Sequence, residues 1–149
     1  MTIVSRKAVA APLLAVLVAS AGLIEAGHAH DPVPADAQRG GTTRSPLFSI
    51  PLPDAPGKVM SAVLLTYAPG AATAVHDHPG TTVVYVLDGA IRSQIEGEPA
   101  AATYRAGQVF IEKPRAGHLV SENASATEPA KFLAIFISDE GEPVTRMRR

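Results

Sequence analysis

The sequence predicts an all-β domain of short antiparallel strands, arranged as a sandwich or a closed barrel. Two observations predict this fold class. From residue 58 onward the apolar runs are short and rich in Val, Ile, Tyr and Phe, and Gly or Pro separates them. Beyond the N-terminal 29 residues, no stretch has the pattern of a capped amphipathic helix of about ten residues or more. Many short strands at even spacing are typical of sandwiches and barrels.

The length and the composition bound the kind of protein. The chain has 149 residues, with 13 basic and 14 acidic side chains and no cysteine. A chain of this length forms one domain with one core. Without cysteine, disulfides, thiolate metal sites and cysteine nucleophiles are excluded. The charge balance, with no basic stripe, argues against nucleic acid as a partner. Any metal site must therefore use histidine nitrogen or oxygen ligands.

Residues 1–29 have the pattern of a secretory signal peptide. Arg6 and Lys7 precede an uncharged run over residues 8–24, which is short for a membrane span of about 20 apolar residues. The small residues Gly27 and Ala29 fit a cleavage site. We therefore expect cleavage after Ala29 and a periplasmic or secreted protein, with no membrane contact beyond the signal peptide. An uncleaved N-terminal anchor is the alternative.

The other segments follow in chain order. Residues 30–56, rich in Pro and Gly, predict an extended arm with an edge strand at residues 45–50. Residues 57–140 are the predicted barrel, and residues 141–149 are a basic tail that we expect to fray. The strands predicted within the barrel are Lys58–Tyr67, Thr82–Leu87, Ile91–Glu96, Ala102–Tyr104, Gln108–Glu112, His118–Glu122 and Lys131–Ser138.

Three histidines are the one chemical constellation of the predicted barrel. His76 and His78 are two residues apart, so in an extended strand their side chains point to the same face. His118 begins another predicted strand, and an adjacent antiparallel strand would supply a third imidazole. A His-x-His pair is also common on surface turns, so the spacing alone leaves both a metal site and two surface histidines open.

Two segments resemble the sequence motifs of the cupin superfamily. Residues 70–89 read Gly-Ala-Ala-Thr-Ala-Val-His-Asp-His-Pro-Gly-Thr-Thr-Val-Val-Tyr-Val-Leu-Asp-Gly and are similar to the first motif, G-x5-H-x-H-x3-E-x6-G. Residues 107–123 are similar, more loosely, to the second motif, G-x5-P-x-G-x2-H-x3-N. The resemblance extends over about residues 59–137. It implies a small single-domain jelly-roll barrel of antiparallel strands, the double-stranded β-helix.

The resemblance also implies a divalent metal inside the barrel, bound by His76, His78 and His118. The family's glutamate ligand falls at Thr82, and threonine is a poor replacement. Glu112, on a neighbouring strand segment, is the nearest candidate for a substitute carboxylate ligand or a general base. An isolated glutamate is more often a solvated charge at a strand end, and Glu112 is therefore a second-rank candidate.

The second motif departs from the family pattern around the turn before His118. Pro114 stands four residues before His118, where the family has five, and Arg115 takes the place of the motif's glycine. Asn123 follows one residue late. These departures leave the geometry of the turn open.

The resemblance implies an exported metal-binding protein and leaves its activity open. One hypothesis is a metal-dependent oxidoreductase of the dioxygenase type that acts on a small organic acid or a phenolic compound; cupins also include decarboxylases, isomerases and lyases. Another is a non-catalytic module that binds a small ligand or the metal, and a third is a structural homodimer with an empty barrel. Imidazole ligands suit iron, zinc, copper and nickel, and manganese is a further candidate. Dimerisation through an edge strand is a further expectation.

Overall fold

The computed structural model describes residues 38–148. The predicted signal peptide and the first residues of the predicted arm lie outside the described residues, and the expected domain boundaries stay predictions. Within residues 38–148, no helix has the length and apolar character needed to cross a membrane.

Residues 38–148 contain twelve strands, which we number β1 to β12. Every strand predicted within the barrel is present, with each end within one residue of its predicted position. The strands are Gln38–Arg39, Thr42–Pro51, Lys58–Tyr67, Ala72–Thr73, His76–Asp77, Thr81–Asp88, Ala90–Ile95, Ala102–Arg105, Val109–Glu112, His118–Asn123, Ala130–Asp139 and Arg146–Met147.

The strands form two sheets, and every strand pair is antiparallel. The first sheet has the order β2-β3-β11-β6-β9. The second has the order β1-β4-β10-β5-β12, and β7 joins it by pairing with both β10 and β8. This arrangement confirms the predicted all-β fold. It also confirms the edge strand expected at residues 45–50, which the structure lengthens to the ten residues of β2.

The core consists of apolar side chains on the inner face of the first sheet together with residues from the second. Successive residues of a strand point to opposite faces, so every second residue of β3, β6 and β11 enters the core. The buried apolar residues of this core are Val63, Leu65, Tyr67, Ala71, Val84, Val86, Ile91, Phe110, Ala130, Phe132, Ala134 and Phe136.

The outer face of the first sheet also carries apolar side chains, and these are exposed. Tyr85 and Val109 lie opposite each other in the β6–β9 pair and are 40% and 48% exposed. Ile111 and Ile137 extend the same face. Contiguous exposed apolar patches often mark contact surfaces. The homodimer expected from the sequence stays a prediction.

The C-terminal end differs from the frayed tail that the sequence predicts. Residues 146 and 147 form β12, which pairs with β5. Arg148 then donates hydrogen bonds to the carboxylates of Asp77 and Glu96, both at 2.9 Å. These two carboxylates hold the end of the chain against the second sheet. The partners lie 71 and 52 residues from Arg148 in the sequence, so local composition does not reveal them.

Candidate metal centre

Four buried side chains meet between the sheets: His76, His78, Glu112 and His118. The ligand-type atoms that they offer, one from each residue, all lie within 4.8 Å of one another. The ring centroids of His78 and His118 are each 5.0 Å from that of His76. Metal bonds to such nitrogen and oxygen atoms are about 2.0–2.2 Å long, so this separation is on the scale of a single ion.

Strand pairing brings these residues together from distant parts of the sequence. His118 of β10 lies directly opposite His76 of β5. An adjacent antiparallel strand thus supplies the third imidazole, as expected from the sequence. Glu112 of β9 lies directly opposite Thr82 of β6. Directly opposed residues on antiparallel strands share one face of the sheet. The chain therefore carries a carboxylate one strand away from the position where the cupin motif has its glutamate.

The structure corrects the interpretation of Glu112 as a solvated charge. The residue is 2% exposed, and its Oε2 atom lies 3.1 Å from His118 Nδ1 and 3.4 Å from His78 Nε2. Phe110 and Glu112 occupy alternate positions of β9 and are both buried, whereas Ile111 between them is exposed. The shared parity with Phe110 is the sequence signal that could have identified Glu112 as inward-facing. The apolar character of Ile111 concealed it.

The rings of His76 and His78 are oriented by backbone carbonyl groups. The Nδ1 atom of His76 lies 2.7 Å from the carbonyl oxygen of Ala74, and Nδ1 of His78 bonds the carbonyl oxygen of Val144. A carbonyl oxygen only accepts, so each ring carries its proton on Nδ1 and has a free lone pair on Nε2. Partners of this kind fix the tautomer and the orientation of metal-binding histidines.

Polar atoms without partners converge on the cluster. His118 Nε2 lies 2.8 Å from the Ser93 hydroxyl, so Nδ1 is the nitrogen that remains for the cluster. His118 Nδ1, Glu112 Oε2 and Thr82 Oγ1 are buried and have no hydrogen-bond partner among the described residues. His118 Nδ1 and Glu112 Oε2 are close but are not aligned for a hydrogen bond. Buried polar atoms nearly always have a partner, such as water or an ion. This donor set fits a divalent metal ion.

The protonation states of the cluster also suit a cation. Burial, followed by the neighbouring His78 and His118 rings, lowers the pKa of His76 to about 3. Burial likewise lowers the pKa of His78, although Glu112 opposes the shift. For Glu112, burial acts to raise the pKa, but the close contact with His118 and the positive charge that the three histidines carry when protonated outweigh it, so the pKa is lowered. Near neutral pH, His76 and His78 are therefore neutral and Glu112 is ionised, as metal ligands must be.

A cavity of about 320 Å³ adjoins the cluster. All four cluster residues line it, as does Tyr67, whose hydroxyl forms hydrogen bonds with Thr73 and Ser121. Most of the remaining wall is apolar and consists of Pro46, Val63, Leu65, Val84, Ile91, Phe110, Phe132, Ala134, Phe136 and Val144. A concave, mostly apolar cavity with a few convergent polar groups is typical of small-molecule sites.

The turn before His118 keeps the geometry of a glycine turn although Arg115 replaces the glycine. Arg115 has a φ of 61°, in the left-handed region, and its N–H donates to the carbonyl oxygen of His78 at 2.7 Å. The turn is thereby attached to the His-x-His segment. Asn123, one residue late in the motif, is buried and donates to the carbonyl oxygens of Ala68 and Glu128. Its role here is to hold two loops together.

Comparison with known proteins identifies the family. The family model described as the cupin domain matches residues 63–136. The chain belongs to the cupin family. The match includes all four cluster residues, and it confirms the resemblance inferred from the two motifs. None of the curated proteins compared with the chain matches it.

Solved structures confirm the cupin double-stranded β-helix. A cupin-like protein from Thermotoga maritima has a TM-score of 0.62 and 20% identity, over 80% of this chain and 84% of that chain. A double-stranded β-helix protein from Klebsiella pneumoniae has a TM-score of 0.57 and 20% identity, over 76% of this chain and 92% of that chain. Bacillus subtilis oxalate decarboxylase, a protein with Mn(II) centres, is 30% identical with a TM-score of 0.50. That match covers 59% of this chain but only 23% of the enzyme.

Replacing Arg115 with glycine should stabilise the fold. The left-handed backbone costs a residue with a side chain roughly 1–2 kcal/mol, and the greater freedom of glycine in the unfolded chain cancels part of the gain. We expect Arg115→Gly to raise the free energy of unfolding by about 1 kcal/mol in urea denaturation, with an unchanged m-value. Arg115→Ala retains the Cβ atom and is the matched control. A loss of stability in the glycine variant, or an equal gain in both variants, would contradict the prediction.

The metal-free protein should lose stability as the pH falls below 6.5. The pKa of His76 is about 3 in the folded state, against an ordinary value of 6.5 for histidine. Between these values the unfolded chain binds a proton that the folded chain excludes. The resulting slope approaches 1.4 kcal/mol per pH unit for each such histidine. Urea titrations between about pH 7 and pH 4 with a chelator present measure it. His76→Gln should have a shallower slope, and an equal slope would show that His76 does not contribute.

Proposed function

We propose that this cupin is an exported metal-binding protein that holds one divalent ion on His76, His78, Glu112 and His118. The observation that carries the proposal is the buried convergence of three imidazoles and one carboxylate, in which Glu112 and His118 have atoms without a hydrogen-bond partner among residues 38–148. Nitrogen and carboxylate ligands together suit iron, manganese, zinc, copper and nickel. Of the two roles considered for Glu112, its contacts with His78 and His118 favour ligand over general base.

The function that the site supports best is a metal-dependent oxidoreductase of the dioxygenase type, acting on a small organic acid or phenolic compound. When bound, the ion supplies Lewis acidity or oxygen activation. The protein's own contribution is the cavity, whose apolar wall packs against the carbon skeleton and excludes water. Decarboxylation is the second candidate, favoured by the 30% identity to Bacillus subtilis oxalate decarboxylase over 59% of this chain. A module that binds a ligand without converting it is the third.

Metal content tests the site. We expect elemental analysis to find about one ion for each wild-type chain and essentially none in a His76→Ala/His118→Ala double variant, because two of the four ligands are lost. Glu112→Gln should weaken binding by removing the only negative charge of the cluster. Glu122→Gln is the matched control, since Glu122 pairs with Arg92 and does not line the cavity. Unchanged stoichiometry in the double variant would rule out this site.

Turnover and binding assays distinguish the three candidate functions. The purified protein, loaded separately with iron, copper, manganese or nickel, is incubated with organic acids and phenols. Sustained oxygen consumption supports the oxidoreductase, and release of carbon dioxide without oxygen consumption supports the decarboxylase. Saturable binding with neither signal supports the binding module.

Export is part of the proposal and rests on the N-terminal pattern of Arg6 and Lys7 followed by an apolar run and small residues. In the native host we expect the mature protein to lie outside the cytoplasm and to begin at His30. Mass spectrometry of the N-terminal peptide, together with fractionation of the cells, measures both. An intact N-terminus on cytoplasmic protein would contradict export without affecting the metal site.

A further inference from the structure

The cavity has a second group of polar residues, Thr42 and Arg44, which are contributed by strand β2. Both line the cavity. In the β2–β3 pair, Thr42 lies opposite Tyr67 and Arg44 opposite Leu65, and these two residues also line the cavity. Because opposed residues share a face, the pairing directs Thr42 and Arg44 inward. A strand that contains none of the cluster residues therefore contributes to the wall beside the cluster.

These polar groups have no partner in the described part of the chain. Thr42 Oγ1 and Arg44 Nη1 are buried without a hydrogen bond, and none of the ion pairs formed within residues 38–148 includes Arg44. Burial lowers the pKa of Arg44, but a guanidinium stays charged near neutral pH. The Arg44 side chain is half-buried, and its Nη1 atom is fully buried. Withdrawing part of a charge from water without a partner is unfavourable, so the site favours an anion at this position.

The charge of the cavity indicates how many negative charges its ligand carries. Apart from the histidines, Arg44 and Glu112 are the only titratable charged residues in its wall among the described residues. With a divalent ion on the cluster, the positive charges of the ion and Arg44 exceed the single charge of Glu112 by two. A complementary ligand is therefore a dianion. The apolar wall around it suits a carbon skeleton.

We propose that the ligand is a small organic acid with two negative charges, which directs one anionic oxygen at the metal cluster and one carboxylate at Arg44 and Thr42. The inference rests on the proposed function, because the cluster must hold its ion. A guanidinium binds a carboxylate through two parallel hydrogen bonds, and the Thr42 hydroxyl can donate a further one. Arg44 would thus determine specificity, selecting dicarboxylates over phenols and monocarboxylates.

Calorimetric titration of the metal-loaded protein tests the proposal. The probes are dicarboxylates from malonate to adipate, with propionate, phenol and inorganic phosphate as comparisons. We expect at least one dicarboxylate to bind more tightly than all three comparisons. Arg44→Gln should lower the binding affinity for that dicarboxylate by about 10- to 100-fold, because a charge-assisted hydrogen bond is lost. It should leave the affinity for propionate and the metal content unchanged. Arg44→Lys should restore part of the loss.

A matched control and the metal content separate the outcomes. Arg92→Gln removes a guanidinium that pairs with Glu122 and does not line the cavity, so it should not alter dicarboxylate binding. The inference fails, and the proposed function stands, if the protein binds metal but Arg44→Gln leaves the affinity for the dicarboxylate unchanged. The same holds if Arg44→Gln lowers the affinity for propionate by an equal factor. Tighter binding of phosphate than of any dicarboxylate would also overturn it. A wild-type protein that takes up no metal would overturn the proposed function and the dianion preference with it.

Discussion

A carboxylate buried among three imidazoles is the arrangement on which the rest of the site depends. Placing the charge of Glu112 between two sheets is costly unless cationic or polar partners surround it. His78 Nε2 and His118 Nδ1 lie 3.4 and 3.1 Å from its Oε2 atom, but this oxygen has no hydrogen-bond partner among residues 38–148. Two carbonyl groups and one hydroxyl hold the three rings. Glu112 comes from the first sheet, whereas His76 and His118 come from the second, so the cluster joins the two sheets. The atoms left without partners are those that a cation would join.

The position of this carboxylate shows how one site can be built from a different strand. The cupin motif places its glutamate on the strand that here carries Thr82, whereas Glu112 approaches from the adjacent strand at the same level. Opposed positions of an antiparallel pair are neighbours on one face of the sheet. A glutamate at either of two such positions therefore places its charge in nearly the same part of the site. Which residues form the ligand set therefore depends on the pairing of the strands as well as on the motif.

The fold could be predicted from the sequence because strand alternation is a local signal. The strands of the barrel and the inward direction of Val84 and Val86 follow from patterns a few residues long. The remaining features depend on contacts between distant residues. The meeting of Glu112 with the three histidines depends on which strand pairs with β9, and Arg148 is fixed by two carboxylates far away in the sequence. Arg44 lies in a segment without clear apolar periodicity, so its place in the cavity wall could not be predicted from the sequence.

Residues 144–148 orient cluster side chains that lie much earlier in the sequence. Val144 accepts the hydrogen bond that orients His78, and Arg148 joins Asp77 to the turn before His118 through the carbonyl oxygen of Arg115. A growing polypeptide that ends before these residues contains all four cluster side chains but lacks the contacts that set their directions. The complete geometry is therefore available only after residues 144–148 have been synthesised. If the proposed export precedes folding, the compartment in which folding finishes, and the metals present there, would decide which ion the protein acquires.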